Sequence, residues 1–306
     1  MRSLIVLFFL YFFLFISFFF LKEANLKNDF YIYIEDGDSL TSIKDKLADK
    51  NIFFPSIIDL TFFLSGRDEL LRKGEYKINS TDNLLLISYK LYFGKINFRS
   101  FYIPEGAVLS SYLSKKEIKN FCLFKGFERC QLEGLLHPNT YFFELGDDIN
   151  ILLNKAFNRQ LEIATSNFKK NNSILPIKSI KELIIVASIL EKESCPEERS
   201  IISGVIYNRL KKEMKLQIDS TVIYGIDNFD GDLTRKDLRK KTPFNSYTNY
   251  GLPPHPIASA SESSIYAAAN PSKHNFLYFV SKGNCEHYFS ENYNDHLNAV
   301  KKYQLN

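Results

Sequence analysis

The stretch Val186–Ser194 reads VASILEKES, an apolar run typical of a core helix that ends in two glutamates separated by a lysine. Each residue of a helix turns by about 100°, so Glu193, which follows Val186 by seven positions, continues the buried face of the run. Glu191 is turned by about 200° from Glu193, and we expect it at the edge of the helix or in solvent. The stretch therefore predicts a buried helix, from about residue 178 to residue 194, whose apolar stripe ends in one carboxyl group.

The position of Glu193 allows two interpretations. Burial disfavours the charged form of a carboxyl group and raises its pKa, which keeps a proton available for general acid catalysis near neutral pH. Alternatively, a buried glutamate is paired with a structural partner, and Arg199 and Arg209 lie in the next predicted helix. The helix alone leaves open whether Glu193 is catalytic or structural.

The amino-terminal segment Ser3–Leu21 contains 19 consecutive residues without a charge. At about 1.5 Å per residue it reaches roughly 28 Å, close to the ~30 Å thickness of a bilayer core. A cleaved signal peptide is the alternative, but its apolar region is usually shorter and ends in small residues, and only Ala24 is small near this boundary. We expect residues 1–22 to form an uncleaved, single-pass transmembrane anchor, with the rest of the chain on the outer side of the membrane.

Composition and residue spacing exclude some classes of partner. The 306 residues carry a net charge of +4, and their lysines are scattered, so we expect no nucleic-acid binding. The five histidines form no HxH or HExxH pattern and the four cysteines no CxxC pattern, so we expect neither a metal site nor a cofactor. Cys122 and Cys130 are close enough to form a disulfide in an exported protein, with two free thiols as the alternative.

The first part of the chain alternates strand, turn and helix signals. FYIYIEDGDS (residues 30–39) predicts a strand and a turn that lead into a helix. A second helix is expected from about Pro55 to Gly66, followed by a short strand and a third helix that ends at Gly94. FYIPEGAVL (residues 101–109) resembles FYIYIEDGDSL, which is explained either by an internal duplication or by the general likeness of strand–turn–helix segments.

The rest of the chain mixes helices with short strands and polar loops. Apolar stripes predict helices over about residues 149–168 and 197–214. NFLYFVSK and EHYFS predict a hairpin around Gly283 and Asn284. We therefore expect an α+β protein: a transmembrane helix, a small module over residues 30–95, and a large domain over residues 96–306.

Polar and aromatic side chains in three loop-like segments are candidates for ligand contacts. Such side chains on rigid loops suit a sugar-binding groove, because they form hydrogen bonds with hydroxyl groups and stack on sugar rings. The candidates are Gln217 and Asp219 in LQIDSTVIYG, Asn245 and Tyr247 in FNSYTNYGLPPHPIAS, and Glu133 in QLEGLLHPNTYFFE. Together these segments predict a cleft around Glu193.

The same segments resemble motifs of a known family, the endolytic murein lytic transglycosylases, also called the YceG-like or MltG family. The similar motifs are LEGLLHPNTYFF, VASILEKES, ERSIISGVIYNRLKKEMKLQIDSTVIYG, YGLPPHPIAS and AAANPSKHNFLYFVSKGNCEHYFS, and they follow the family's order over nearly the whole chain. The resemblance implies an anchor in the inner membrane, a LysM-like module over residues 30–95 and a periplasmic catalytic domain over residues 96–306. The family's catalytic glutamate is the second one of an EKE[TS] segment, which corresponds to Glu193.

An activity is also implied by the resemblance. Members cleave the β-1,4 bond between MurNAc and GlcNAc in peptidoglycan without water, leave a 1,6-anhydroMurNAc end, and use one carboxyl group as acid and base. Glycan strands would be the substrate, and peptidoglycan synthases are candidate partners. The chain departs from the family pattern at Leu135–His137, at Ser220 and at His255, where the family usually has Tyr-Leu-Phe-like residues, proline and glycine.

Two alternatives to this activity remain at the level of sequence. The first is a peptidoglycan glycoside hydrolase, in which Asp219 would serve as the second carboxylate that hydrolysis requires. The second is a membrane-anchored protein that binds the cell wall without catalysis. Both alternatives keep the cleft around Glu193 and differ in the chemistry performed there.

Overall fold

The computed structural model describes residues 27–52, 71–171 and 175–305, together with Leu10, Tyr11 and Leu14. The expected anchor over residues 1–22 lies, apart from those three residues, outside the described part of the chain, as does the helix expected from Pro55 to Gly66. No helix within the described residues is long and apolar enough to cross a membrane. The chain divides into two compact units, Met1–Ser100 with Phe142–Asp147, and Phe101–Tyr141 with Asp148–Asn306.

The described part of the first unit contains two helices and a two-stranded antiparallel sheet. Its elements are β1 (Phe30–Ile34), α1 (Leu40–Ala48), β2 (Gly74–Ile78) and α2 (Leu84–Tyr92). Strand β1 pairs with β2 in a register that places Phe30 opposite Ile78 and Ile34 opposite Gly74. Alternation along β1 buries Ile32 and Ile34, as the sequence pattern predicts for one face of a strand.

The interior of the first unit is formed by the covered face of this sheet and by one side of each helix. Its buried apolar side chains include Ile32, Ile34, Ile43, Leu47, Tyr76, Ile78, Ile87 and Leu91. The buried carboxylate of Glu75, on β2, accepts a hydrogen bond from Arg99 Nη2 at 3.0 Å and one from Asn97 Nδ2 at 2.9 Å. Because both partners satisfy it, this buried charge is compatible with a stable interior.

The second unit is mainly helical. Its helices are α3 (Lys115–Phe124), α4 (Ile149–Asn171), α5 (Ile180–Glu193), α6 (Arg199–Lys211), α7 (Asp219–Tyr224), α8 (Arg235–Arg239), α9 (Glu262–Ala269) and α10 (Tyr293–Tyr303). Its hairpin strands are β5 (Tyr278–Gly283) and β6 (Glu286–Ser290), and elsewhere in the chain β3 (Arg99–Ile103) pairs with β4 (Asn139–Phe143). The described residues therefore form a mixed α+β fold, as expected.

Helix α5 forms the centre of the second unit. Its residues from Leu183 to Leu190 are all buried, and it packs against α4, α6 and α9. Ser179 caps its first turn by accepting a hydrogen bond from Glu182 N at 3.2 Å. The helix ends at Glu193, so the predicted buried helix and its carboxyl end are confirmed.

Strands β5 and β6 form the hairpin predicted around Gly283 and Asn284. Tyr278 pairs with Ser290 and Gly283 with Glu286, with an irregularity of register between Ser281 and Gly283. Gly283 and Asn284 have φ angles of 85° and 50°, in the left-handed region that glycine and asparagine adopt in tight turns.

Two disulfides cross-link the second unit. One joins Cys122 to Cys130, which excludes the alternative of two free thiols. The other joins Cys195, two residues beyond the end of α5, to Cys285 in the turn of the β5–β6 hairpin. This second bond was not predicted from the sequence, and it fastens the hairpin to the segment that follows Glu193.

Candidate active site

Glu193 lies where two cavities of the second unit meet. The smaller cavity, of about 390 Å³, is bordered by Glu193, Gln217, Tyr247 and the β5–β6 hairpin. The larger one, of about 940 Å³, is bordered by Glu193 and by residues of the 108–133 and 219–228 segments. Glu193 and Asp219 border both cavities. Glu193 is therefore next to space for a ligand in each of the two cavities.

The surroundings of Glu193 favour its protonated form. Burial raises the pKa of this carboxyl above its usual range, and the negative charge of Asp219 acts in the same direction. The backbone N–H of Ser220, which donates to Oε1 at 3.3 Å, and the charge of His287 lower the pKa and partly offset the effect of burial. Among the described residues no ion pair neutralises Glu193. The group is thus able to hold a proton in a site that a ligand can reach.

Neither of the two arginines considered as structural partners of Glu193 pairs with it, because both are engaged elsewhere. Arg199 Nη2 donates to Glu191 Oε1 at 2.8 Å, and both side chains are almost completely buried. Arg209 donates to the backbone carbonyls of Leu277 and Leu216, each at 2.6 Å.

Glu191 is a buried structural residue. Its Oε2 accepts hydrogen bonds from Ser261 N at 2.9 Å and from Ser261 Oγ at 2.6 Å, in addition to the pair that Oε1 forms with Arg199. Of the two expected positions of Glu191, exposure to solvent is therefore wrong, because its side chain is almost completely buried. Its partners lie on α6 and at the start of α9, and they cover a side of α5 that helical phase alone places outside the apolar stripe.

Two of the predicted ligand-contact residues, Asp219 and Tyr247, are bound to each other beside Glu193. Tyr247 Oη donates to Asp219 Oδ1 at 2.6 Å. Burial and the neighbouring carboxylate raise the pKa of the Tyr247 phenol, so it remains a donor throughout the physiological range. The pair presents one phenol and one carboxylate oriented by it in the smaller cavity.

Gln217 also borders the smaller cavity, and its backbone has a φ angle of 50°, which turns the chain sharply before α7. Its backbone N–H donates to Ser246 O at 3.1 Å, and its side-chain Oε1 accepts from Arg209 Nη1 at 3.4 Å. Gln217 is an exposed residue, and no described residue forms a hydrogen bond with its side-chain amide nitrogen.

Asn245 is placed differently from the other candidates, because it is completely buried and borders neither cavity. Its Nδ2 donates to the carbonyls of Asp237, Leu238 and Lys240, and its Oδ1 accepts from Tyr247 N at 2.8 Å. Its polar atoms are thus used inside the protein, where they hold the loop that carries Tyr247.

Glu133 is a second buried carboxyl group, on the wall of the larger cavity. Burial raises its pKa to about 7, against the effect of hydrogen bonds from Leu109 N at 3.0 Å and Tyr224 Oη at 3.1 Å. At neutral pH a large fraction of Glu133 is therefore protonated. In the described part of the chain, no group of three or more His, Cys, Asp or Glu residues is arranged to hold a metal ion.

Sequence reasoning missed the contribution of the β5–β6 hairpin to this site. His287, on β6, borders the smaller cavity and acts on the pKa of Glu193. Its hydrogen-bond partner Glu198 lies 89 positions earlier in the chain. The only local signal was a histidine within an aromatic strand, which does not indicate a neighbour so distant in sequence.

The chain is similar to known proteins. The profile of the YceG-like family matches residues 32–302. The endolytic murein transglycosylase of Bacillus subtilis is 40% identical over 177 residues, which cover 56% of this chain and 48% of that protein. The protein of the same name from Streptococcus pneumoniae strain R6 is 32% identical over 187 residues, which cover 57% of this chain and 33% of that protein. The chain thus spans about half of the first relative and about a third of the second.

The fold has a counterpart among solved structures. A crystal structure of a putative YceG-like protein from Listeria monocytogenes superimposes with a TM-score of 0.58 at 26% sequence identity, covering 89% of this chain and 99% of that one. The family match extends over helix α5, the candidate loops and the β5–β6 hairpin. The chain belongs to the YceG-like family.

Proposed function

We propose that the chain is an endolytic lytic transglycosylase that cleaves the β-1,4 bond between MurNAc and GlcNAc in peptidoglycan strands. The observation that carries this proposal is the position of Glu193, a carboxyl group with a raised pKa between two cavities. An enzyme that cuts within a polymer needs room for sugars on both sides of the reacting bond. The curated relatives that bear the name endolytic murein transglycosylase support the same assignment.

The proposed reaction uses Glu193 twice. Protonated Glu193 donates its proton to the glycosidic oxygen as the bond to C1 of MurNAc breaks, and the GlcNAc-bearing strand leaves with that proton. The resulting carboxylate then accepts the proton of the muramyl C6 hydroxyl while that oxygen bonds to C1. The product is a 1,6-anhydroMurNAc end, and Glu193 recovers its initial protonation state without water.

The remaining predicted residues are proposed to orient the sugars. Gln217, Asp219 and Tyr247 border the smaller cavity, where amide, carboxylate and phenol groups are available to sugar hydroxyls and to the positive charge that develops at C1. Glu133 borders the larger cavity and, while protonated, is a hydrogen-bond donor. Asn245 acts on this set indirectly by holding the Tyr247 loop.

A glycoside hydrolase is the second candidate function, because Asp219 borders both cavities together with Glu193 and so offers a second carboxylate. In that reaction Glu193 would act as acid and Asp219 as base or nucleophile, and the product would be an ordinary reducing end. The two reactions therefore differ in their products.

We also propose that the chain is anchored in the inner membrane by residues 1–22 and works in the periplasm. The two disulfides support an oxidising compartment, since structural disulfides are rare in the cytosol. In this arrangement the module over residues 30–95 is LysM-like and binds glycan, and peptidoglycan synthases are candidate partners. Truncating that module and measuring retention on purified sacculi tests its role in glycan binding.

Product analysis of Glu193→Gln tests the proposed activity. Sacculi are incubated with the purified full chain, and the released fragments are analysed by mass spectrometry. We expect 1,6-anhydroMurNAc ends from the wild type, and a loss of roughly a hundredfold or more in the variant, the range typical of a missing general acid. Glu197→Gln is the matched control, because Glu197 is an exposed glutamate on the neighbouring segment.

Three outcomes would contradict the proposal. Fragments with only reducing ends would establish hydrolysis, and Asp219→Asn would then be the next variant to examine. Unchanged release of fragments by Glu193→Gln would remove Glu193 from the mechanism, and absence of any release by the wild type would favour a cell-wall-binding protein without catalysis.

A further inference from the structure

Ser220 is in direct contact with the carboxyl group of Glu193. Its backbone N–H donates to Glu193 Oε1 at 3.3 Å, and both residues border the larger cavity. Position 220 is also one of the places where the chain departs from the family pattern. The proline usual there has neither an N–H nor a hydroxyl group, so both donors are features of this chain.

The hydroxyl group of Ser220 is buried, and no described residue forms a hydrogen bond with it. Buried polar atoms are rarely left in this state, and an atom of this kind beside a reactive group points to a partner that another state of the site supplies. Three covalent bonds separate Oγ from the amide nitrogen, so Oγ lies within roughly 7 Å of Glu193 Oε1 in every rotamer. Rotation about the Cα–Cβ bond moves it toward that carboxyl or away from it.

The neighbouring glutamate shows a completed contact of the same kind. Ser261 donates to Glu191 Oε2 from its backbone N–H at 2.9 Å and from its hydroxyl group at 2.6 Å. Glu191 is ion-paired with Arg199, so the group that receives both hydrogen bonds is a carboxylate. Ser220 offers Glu193 the same two donors, of which the backbone N–H is the one engaged in this structure.

The charged groups around Glu193 are separate from this contact. Those that border the two cavities include Asp219, Arg209, His287, Glu133, Lys115 and Lys192. Asp219 raises the pKa of Glu193 and His287 lowers it, and within the described residues no ion pair involves Glu193. All of these groups are retained when Ser220 is changed, so a change in the titration of Glu193 then reports the loss of the serine donors.

We propose that Ser220 is a positioning residue for Glu193: its N–H holds the carboxyl group, and its hydroxyl donates a second hydrogen bond once Glu193 is a carboxylate. The inference rests on the proposed function, in which Glu193 gives its proton to the glycosidic oxygen and then accepts the proton of the C6 hydroxyl. A hydrogen bond made only to the carboxylate favours the step that produces it. Ser220 keeps its own proton, so the proton balance of the reaction is unchanged.

The first test measures the contact without relying on activity. The full chain is labelled with ¹³C at the glutamate carboxyl carbons, and the Glu193 resonance is assigned by its absence in Glu193→Gln. Ser220→Ala removes the hydroxyl and keeps the N–H. We expect it to move the titration of Glu193 to higher pH by roughly one unit, the size of effect of one hydrogen bond to a charged group.

Two further variants control this titration. Ser220→Thr keeps both donors and should titrate like the wild type. Ser110→Ala is the matched control, since this exposed serine borders the same cavity and forms no hydrogen bond with Glu193 within the described residues. An unchanged Glu193 titration in Ser220→Ala, or an equal shift in Ser110→Ala, overturns the inference.

The second test separates positioning from folding through the pH dependence of glycan cleavage. Because Glu193 must be protonated to act as an acid, the alkaline limb of the kcat/KM profile follows its pKa. In Ser220→Ala we expect this limb at higher pH and kcat lower by roughly three- to tenfold, with KM close to the wild-type value and both changes reversed in Ser220→Thr.

A lower kcat without a shift of the alkaline limb would give Ser220 a merely structural role and overturn the inference, as would a profile identical to that of the wild type. If the wild type releases no anhydromuramyl product but its Glu193 titration moves in Ser220→Ala, the contact is supported and the proposed function is what fails.

Discussion

The two disulfides should stabilise the second unit by very different amounts. The Cys195–Cys285 bond closes a loop with a sequence separation of 90, whereas the Cys122–Cys130 bond closes one with a separation of 8. A cross-link stabilises the folded state mainly by reducing the conformational entropy of the unfolded chain, and the effect grows with the logarithm of loop length. The loop-closure relation gives about 4.6 kcal/mol for the long loop and about 2.5 kcal/mol for the short one.

The prediction is checked with two double variants, Cys195→Ser/Cys285→Ser and Cys122→Ser/Cys130→Ser. Each serves as the control of the other, because both bonds lie in the same unit and the same unfolding transition reports on both. The chain has no tryptophan, so urea unfolding is followed by the helical circular dichroism signal. We expect the first variant to lose about 2 kcal/mol more free energy of unfolding than the second.

Equal losses, or a larger loss in the Cys122–Cys130 variant, would refute the loop-closure reasoning. Reduction of both bonds in the wild type should remove about 7 kcal/mol, since the effects of distant sites add. This is comparable with the whole stability of a typical domain, about 5–15 kcal/mol. We therefore expect a reductant to unfold a measurable fraction of the second unit, in keeping with the oxidising compartment proposed for the chain.

Two further predictions concern buried carboxyl groups. Burial raises the folded-state pKa of Glu133 from 4.5 to about 7, so its contribution to stability is present below pH 4.5 and is lost as the pH rises through 7. Relative to Glu133→Gln, the wild type should lose about 3 kcal/mol between pH 4.5 and pH 8 in urea unfolding, and a constant difference would contradict this. Glu191→Gln should cost about 3 kcal/mol or more, because it leaves Arg199 buried without its charge partner, whereas Glu193→Gln should not lower the melting temperature. Similar losses in these two variants, measured by thermal unfolding, would contradict the division of roles between the glutamates.

Features with a local sequence signal were predictable from the sequence. Helical phase identified Glu193 as the carboxyl that continues the buried face of α5, since every apolar residue needed for that inference lies within two turns of it. The Gly283–Asn284 turn likewise identified the β5–β6 hairpin. In both cases the positions that decide the structure are close together in the chain.

Features that depend on distant partners were missed or misjudged. Glu191 is buried because Ser261, 70 positions later, and Arg199 cover it. His287 is oriented by a carboxylate 89 positions away, and Cys195 is paired across a separation of 90. No periodicity along the chain encodes such contacts, because they arise from the way α5, α6 and the hairpin pack together. Asn245 was misjudged for the same reason. Its side-chain amide forms hydrogen bonds within the turn between α8 and the Tyr247 loop and does not line the cleft.

The end of α5 carries two glutamates, two residues apart, whose surroundings differ. Glu191 is neutralised by Arg199 and by two hydrogen bonds from Ser261, so it locks the helix to α6 and α9. Glu193 accepts a hydrogen bond from Ser220 but is left without an ion pair within the described residues, and burial remains the largest influence on its pKa. A rigid helix end is what allows such a group to remain unpaired, because a mobile side chain would turn toward solvent. The buried pair at Glu191 thus supports the chemistry proposed for Glu193 by fixing the backbone from which it projects.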